Sequence, residues 1–517
     1  MFQSVRLSLA DLLGNTYVEK VASLQTELGL LSREEAEEAA HGAVEFYPES
    51  MQAMNDELLK KVGTQITAPF KNTNKGAGTR SFSKATHLNE APIGGICNMR
   101  VGEDGKLYLI GKSEHYHASL GHRFNGYRLI DNARKLGIVN ATHNNTRGYI
   151  TRLMEREVIR SINADENGDC SDARLEGILV SEAPRVLNRL INLETGSVAV
   201  EAGIKMMLTR FYKLDSSFDA PKYSGKTPVF FVMEDKDGSF EANYHGTSVT
   251  AQTFRGMWPE YYQKINEAGI YKIVSVRIND IDDFRTKIEK YNSGNYKTAG
   301  FLHEIVLMNY GGVLLNKTYL QEAYKLCRTY DTPTLVDEIQ SCMWYEGMFL
   351  FRLYELTPDF VVIGKGFPGG EYPASKIITT AEMDTLNQFG ALVTNGQEEL
   401  ASLSYLITMA FARANAKVIA ELGALFEARL NRMAQKHSDI VTKFEGLGHC
   451  GSLHFHDLET AAAFAKTVNG YGIDISAQVY KQHCPPAVLF KPPLIATEAT
   501  LGFICDRMED ALEAMSK

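Results

Sequence analysis

Two polar residues stand directly after apolar runs that read as buried strands. Asp337 follows Thr334-Leu335-Val336, and Lys365 follows Phe360-Val361-Val362-Ile363-Gly364. They are 28 residues apart, about one crossover connection. In an open α/β sheet, ligands bind at the carboxyl ends of the strands. A lysine and a carboxylate would therefore face one crevice. A lysine so placed can form an imine with a carbonyl cofactor. Pyridoxal 5'-phosphate asks three things of a protein: a lysine for the imine, a carboxylate to keep the ring nitrogen protonated as an electron sink, and donors for the phosphate. The same two residues also fit a purely structural ion pair, since buried pairs mimic active sites.

The third requirement has a candidate upstream. Thr195-Gly196-Ser197 opens a helical stretch. A helix N-terminus offers free N–H groups and a positive dipole end to an anion. The plainer alternative is a Ser or Thr that caps the helix. Tyr244-His245-Gly246 follows the Val229–Met233 run by a short loop, and an aromatic there can stack on a cofactor ring. A surface tyrosine in a turn is the alternative.

The elements that must position these residues alternate between strand and helix. Apolar residues at Val200, Ile204, Met207, Leu208 and Phe211 predict a helix over Ser197–Lys213. Val229–Met233, Phe301–Met308, Thr334–Val336 and Phe360–Ile363 read as strands, and Lys317–Tyr330 as a helix. The pattern predicts an α/β domain with a mostly parallel sheet flanked by helices. A long amphipathic helix from Glu398 to Gln435, broken near Gly423, should lead into a smaller α+β domain over 445–517. The expected division is a 1–95 N-terminal extension, a 96–395 large cofactor domain whose start could join the small domain, and a 396–517 long helix with the small domain. Within the extension, Ser32-Arg33-Glu34-Glu35 has the form of a capping box. Residues 63–90 are polar and Gly-rich, and suit either an arm or a linker.

Composition removes other classes. At 517 residues the chain is too long for one core, since cores stop growing near ~250–300 residues. A net charge of -9 disfavours a dedicated nucleic-acid binder. No run of ~18 apolar residues is present, so no membrane-spanning helix is expected. The N-terminal stretch lacks the form of a signal peptide. Seven cysteines, an odd number without a C-x-x-C pair, point to reduced thiols in a cytoplasmic protein. No G-x-G-x-x-G follows an early strand, which argues against a dinucleotide dehydrogenase.

In order along the chain, these segments resemble the class III (ornithine, GABA and glutamate-semialdehyde type) pyridoxal-phosphate aminotransferase family. Ser119-Leu120-Gly121-His122-Arg123 resembles its L-G-H stretch, and Thr195–Ala202 its S-G-S-E-A-V-E-A phosphate loop. Tyr244-His245-Gly246 resembles the family's aromatic-H-G. Leu335-Val336-Asp337-Glu338-Ile339-Gln340 resembles its D-E-V-Q, and Gly364-Lys365-Gly366 with Gly369-Gly370-Glu371-Tyr372-Pro373 its K-G-x-x-G-G-x-P. Lys491-Pro492-Pro493-Leu494-Ile495 resembles its P-P-L-x-I. The likeness covers about residues 96–517.

The resemblance implies fold type I and a set of roles. Lys365 would be the imine lysine and Asp337 the partner of the pyridinium nitrogen. Gln340 would lie near the phenolic oxygen, and Ile339 would pack on the ring face opposite Tyr244, with His245 beside it. Gly196 and Ser197 would hold the phosphate. Glu304 stands where the family has the first Glu of E-P-x-Q-G-E, beside the cofactor, unless it is merely solvated or paired. Thr394, in Val393-Thr394-Asn395-Gly396-Gln397, would reach the phosphate from a second subunit of a homodimer. Three departures concern the substrate pocket and phosphate loop. Leu489 stands where many members have a carboxylate-binding arginine, and leucine cannot form that bidentate pair. Lys491 could substitute for it or stay solvated. Val198 replaces the usual Glu, and Met308-Asn309-Tyr310-Gly311 resembles the M-M-N-x-G form of aminomutase relatives. The expected activity is transfer of an amino group from an amino donor to an oxo acceptor through a Lys365 Schiff base. Aminomutase, racemase or decarboxylase chemistry on the same cofactor, or a non-catalytic descendant, stand as alternatives.

Overall fold

The structure, a computed structural model, describes residues 1–112, 117–478 and 484–516. The chain forms two compact units. The larger comprises Ile138–Met409 with Tyr480–Cys484, and the smaller Met1–Gly137, Ala410–Val479 and Pro485–Lys517.

The larger unit is built on a seven-stranded sheet. Across the sheet, the strands are Leu187–Leu193, Ser375–Thr380, Phe360–Ile363, Thr334–Asp337, Tyr296–His303, Thr227–Met233 and Lys272–Val276. Only Ser375–Thr380 runs against the others; its pairings with Phe360–Ile363 and Leu187–Leu193 are antiparallel, while the remaining pairings are parallel. The expected mostly parallel sheet is therefore present. Every residue of Thr334–Asp337 and Phe360–Ile363 is buried. That explains the apolar Leu335-Val336 and Phe360–Ile363 runs, because central parallel strands are covered on both faces.

The Gly196–Leu208 helix packs on one face of this sheet. Its core with the sheet includes Val200, Met207, Phe230, Leu335, Phe360 and Ile377. A Cβ on Gly203 would come within 2.6 Å of Leu335 Cδ1, so the close approach of helix to sheet requires glycine there. Each large apolar side chain buried in this way contributes about 1.5–3 kcal/mol.

The smaller unit holds a four-stranded sheet of Val441–Leu447, Cys450–Phe455, Ala487–Phe490 and Ser476–Ala477. A second sheet orders Ile473–Asp474, Leu107–Ile110, Met99–Gly102 and Pro92–Ile96. Helices Ala416–Lys436, Leu458–Gly470 and Glu498–Met515 complete its core.

Residues 1–95 do not form a separate arm; they belong to this unit. Phe124 packs edge-on against Phe411 at 5.1 Å, and Phe2 and Tyr47 join the same aromatic cluster. The Tyr47 hydroxyl donates to Ile495 O at 3.2 Å, and Asn55 Nδ2 to Thr500 Oγ1 at 3.0 Å. The Ser32 capping box is formed, with Glu35 N–H on Ser32 Oγ and Ser32 N–H on the Glu35 carboxylate. The polar 63–90 stretch is largely exposed, and its first residues run beside 105–107, with Gly63 N–H bonded to Leu107 O at 2.8 Å.

Two further expectations are corrected. The long helix breaks at Asn415, between Glu399–Ala414 and Ala416–Lys436, and not at Gly423. The Asn415 amide exchanges hydrogen bonds with the Gln3 backbone and also donates to Phe411 O. Gly423 lies inside the second helix, where a Cβ would press on His449 at 3.1 Å. Lys491 is not solvated: its exposure is 0%, at the end of the Ala487–Phe490 strand. All seven cysteines are buried and none forms a disulfide. Among the described residues, no helix is long and apolar enough to cross a membrane.

Candidate active site

The carboxyl ends of the parallel strands carry the chemistry. Asp337 ends the Thr334–Asp337 strand, Glu304 follows Tyr296–His303, and Lys365 follows Phe360–Ile363 by one glycine. Thr195, Gly196 and Ser197 follow Leu187–Leu193 and open the next helix. These residues, with Ile339, Gln340 and Tyr244-His245-Gly246, line one cavity of about 210 Å³. Of the residues expected at the site, only Thr394 lies elsewhere, exposed in the turn before Glu399–Ala414.

Lys365 sits at φ 28°, a conformation that a non-glycine residue adopts only under constraint. Its Nζ lies 3.4 Å from Gln340 Oε1, and Gln340 Nε2 donates to Glu304 Oε1 at 3.2 Å. Burial pushes the lysine amine below its ordinary range, while Glu304 and Asp337 oppose the shift. A depressed amine is the form a nucleophilic lysine needs. Asp337 Oδ2 meets His245 Nδ1 at 3.2 Å, and Oδ1 accepts from Ile339 N–H at 3.1 Å.

The helix start is open. Thr195 makes no side-chain capping bond, and Ser197 Oγ accepts from Thr247 N–H at 3.0 Å. The first helical N–H groups have no intrahelical acceptor by geometry, so they face an incoming anion. Two glycines keep this end clear. A Cβ on Gly196 would meet Ile339 Cδ1 at 2.7 Å, and one on Gly246, at φ 114°, would meet Ser197 Cα at 2.5 Å. Tyr244 carries the Arg255 guanidinium at 4.9 Å from its ring centroid. His245 Nε2 is buried and finds no hydrogen-bond partner among the described residues.

This donor set fits pyridoxal phosphate: a buried amine, a carboxylate deep in the crevice, an uncapped helix end and an aromatic at the wall. Thr247 and Arg255 were invisible to motif reading. Thr247 acts through a bond across 50 residues, and Arg255 stands eleven positions after the tyrosine it stacks on.

The "Aminotransferase class-III" family model matches residues 119–512. The chain is 24% identical over 326 residues to the ornithine aminotransferase of Schizosaccharomyces pombe, covering 60% of this chain and 69% of that one. It is 23% identical over 278 residues to the adenosylmethionine-8-amino-7-oxononanoate aminotransferase of Staphylococcus aureus, covering 50% of this chain and 58% of that one. Among solved structures, the ornithine aminotransferase of Toxoplasma gondii superimposes with a TM-score of 0.65 at 17% identity, over 91% of this chain and 99% of the other. A transaminase from a marine Virgibacillus gives 0.66 at 14%, over 90% and 99%. At such identities the structural likeness speaks for the fold.

Proposed function

The chain belongs to the class III aminotransferase family, and from that premise we propose that it is a pyridoxal-phosphate-dependent aminotransferase that moves an amino group from an amino donor to an oxo acceptor. The observation that carries this reading is the convergence of Lys365, Asp337 and an uncapped helix N-terminus on one cavity.

When bound, pyridoxal phosphate supplies an electrophilic carbonyl and an electron sink. The residues divide the remaining work. Lys365 would hold the cofactor through its amine and, as a free amine, would move a proton at the substrate carbon as general base and acid. Asp337 holds the proton on the ring nitrogen, and its contact with His245 at 3.2 Å orients the carboxylate. Gly196, Ser197 and the helix end receive the phosphate. Tyr244 and Ile339 would flank the ring, Gln340 would lie near its phenolic oxygen, and Glu304 would stand beside the cofactor.

We further propose a homodimer in which Thr394 of one copy completes the phosphate site of the other, and a cytoplasmic location in keeping with seven cysteines outside any disulfide. Sedimentation should report a dimer, and Thr394→Ala should weaken cofactor retention; a monomer with full activity would overturn the pairing.

The decisive experiment is a half-reaction. Purified protein should be yellow, and borohydride should fix the cofactor to the peptide that contains Lys365. An amino donor should bleach the colour, and an oxo acceptor should restore it. Turnover without any acceptor would assign a mutase, racemase or decarboxylase instead. A colourless protein, or label on another lysine, would remove the cofactor assignment altogether.

A further inference from the structure

A second lysine is buried beneath the turn that carries Lys365. Lys376 is 1% exposed and lies on the antiparallel strand, directly opposite Ile363. Its ammonium sits 5.2 Å from the centroid of the Tyr405 ring. Tyr405 in turn stacks on Phe367, at 5.2 Å and 17° between planes, and its hydroxyl donates to Ala374 O at 3.0 Å. Phe367 N–H donates to Gly364 O at 3.0 Å, which closes the turn holding Lys365 at φ 28°. Phe349 packs on Phe367 from another side at 5.6 Å. Cation, phenol ring and phenyl ring thus form a continuous stack ending two residues from Lys365.

We infer that Lys376 is a positioning residue: its ammonium, acting through Tyr405 and Phe367, holds the Gly364–Phe367 turn in the strained form that presents Lys365 to the cavity. The inference rests on Lys365 being the reactive lysine. A desolvated cation draws an aromatic face toward it far more strongly than a neutral amine does. The turn needs such an external hold, because a left-handed lysine relaxes unless its surroundings over-determine it.

The charge on Lys376 is itself conditional. Burial pushes its amine down to about 7, opposed by Glu155 on the Tyr149–Ile162 helix and by Glu398. Glu155 is shared: Asn192 Nδ2 donates to it at 2.5 Å, Arg147 lies 3.5 Å away, and Arg152 acts on it from further off. The ammonium is therefore present below about pH 7 and is lost above it, and the hold on the turn should weaken in the same direction.

The test compares Lys376→Met, Lys376→Arg, Tyr405→Phe and Tyr405→Leu in the full-length holoenzyme. Lys376→Met should lower kcat by about 2- to 30-fold, the range a cation–π contact spans, with KM changed less than about twofold. Wild-type kcat should show an added fall above about pH 7 that is absent in Lys376→Met and displaced upward in Lys376→Arg. Tyr405→Phe, which keeps the ring, should stay near wild type, and Tyr405→Leu should behave like Lys376→Met. The double variant should be no worse than the worse single one, as expected of residues that act in series. The second readout is the pH dependence of borohydride labelling at Lys365, which should lose its inflection near pH 7 in Lys376→Met. If Lys365 is not labelled in wild type, the functional reading fails. If it is labelled, and Lys376→Met keeps the wild-type kcat and both pH profiles, this inference alone fails. Should Lys376→Met not fold, the Tyr405 pair and the wild-type profiles decide the matter: equal kcat in Tyr405→Phe and Tyr405→Leu, or no inflection near pH 7 in wild type, overturns it.

Discussion

At the scale of single residues, chemistry was legible where it followed a buried strand. Asp337 and Lys365 each end an apolar run, so their position at the carboxyl edge of a sheet could be read from type and order alone. Replacing Lys365 with Ala should abolish turnover, and Asp337→Asn should cost on the order of 10²–10⁴-fold in kcat, the range of acid–base effects, because the ring nitrogen loses its charged partner. Steady-state kinetics with the fold checked by circular dichroism would measure both. What the sequence hid is how the two residues are linked. Lys365 reaches Glu304 by way of Gln340, and Asp337 pairs with His245, contacts that join positions 25 to 92 residues apart. These links make a pH prediction. Glu304 raises the proton affinity of Lys365 against the effect of burial. Glu304→Gln removes that charge, so the amine should become neutral at lower pH. The acid limb of Lys365 labelling should then move to lower pH in this variant. A limb unmoved or displaced upward would show that Glu304 does not act on the lysine.

At the scale of elements, strands were read well and junctions poorly. The Thr227–Met233, Thr334–Asp337 and Phe360–Ile363 strands announce themselves because burial on both faces makes their middles apolar, as in Val229–Met233, Leu335-Val336 and Phe360–Ile363. The break at Asn415 has no such local signature. A glycine looks like the weak point of a helix, yet Gly423 is there for close packing, and the true break is fixed by bonds to Gln3, 412 residues distant in the chain. Glu338 shows the same long reach. Its buried carboxyl group accepts from the N–H groups of Leu350 (2.9 Å) and Phe351 and so starts the Leu350–Leu353 turn. Glu338→Ala should destabilise the larger unit by about 1–3 kcal/mol for each orphaned N–H. Burial also pushes Glu338 up to about 8 from 4.5. The folded state therefore keeps a proton that the unfolded chain begins to release near its ordinary value. The stabilisation is complete below pH 4.5, fades as pH rises, and is gone above about 8. Denaturant titrations of wild type and Glu338→Gln across this window should show the wild-type advantage shrinking with pH. A difference independent of pH would mean that Glu338 is ionised in the folded protein.

At the scale of the whole molecule, the first 95 residues are where the sequence reading fell furthest short. Nothing local tells a helical extension from part of a core, because the decisive contacts are made with the distant end of the chain. Phe2 and Tyr47 pack with Phe411, Tyr47 bonds Ile495, and Asp56 accepts from the Thr497 hydroxyl at 2.6 Å. The polar stretch that follows behaves differently, since residues 68–88 are mostly exposed. The two parts should therefore respond differently to removal. Deleting residues 1–47 takes away fully buried aromatics, Phe46 and Tyr47 among them, each worth about 3–5 kcal/mol by analogy with Phe→Ala core substitutions. Losses of that size match the whole 5–15 kcal/mol stability of a typical domain, so the smaller unit should no longer fold cooperatively. Replacing 70–86 with a short Gly/Ser linker removes few buried groups and should leave the unfolding midpoint within a few degrees of wild type, since exposed loops tolerate change. Differential scanning calorimetry separates the cases. If the 1–47 deletion unfolds at the wild-type temperature, the N-terminal segment is an appendage after all, and the aromatic cluster around Phe411 is not a core.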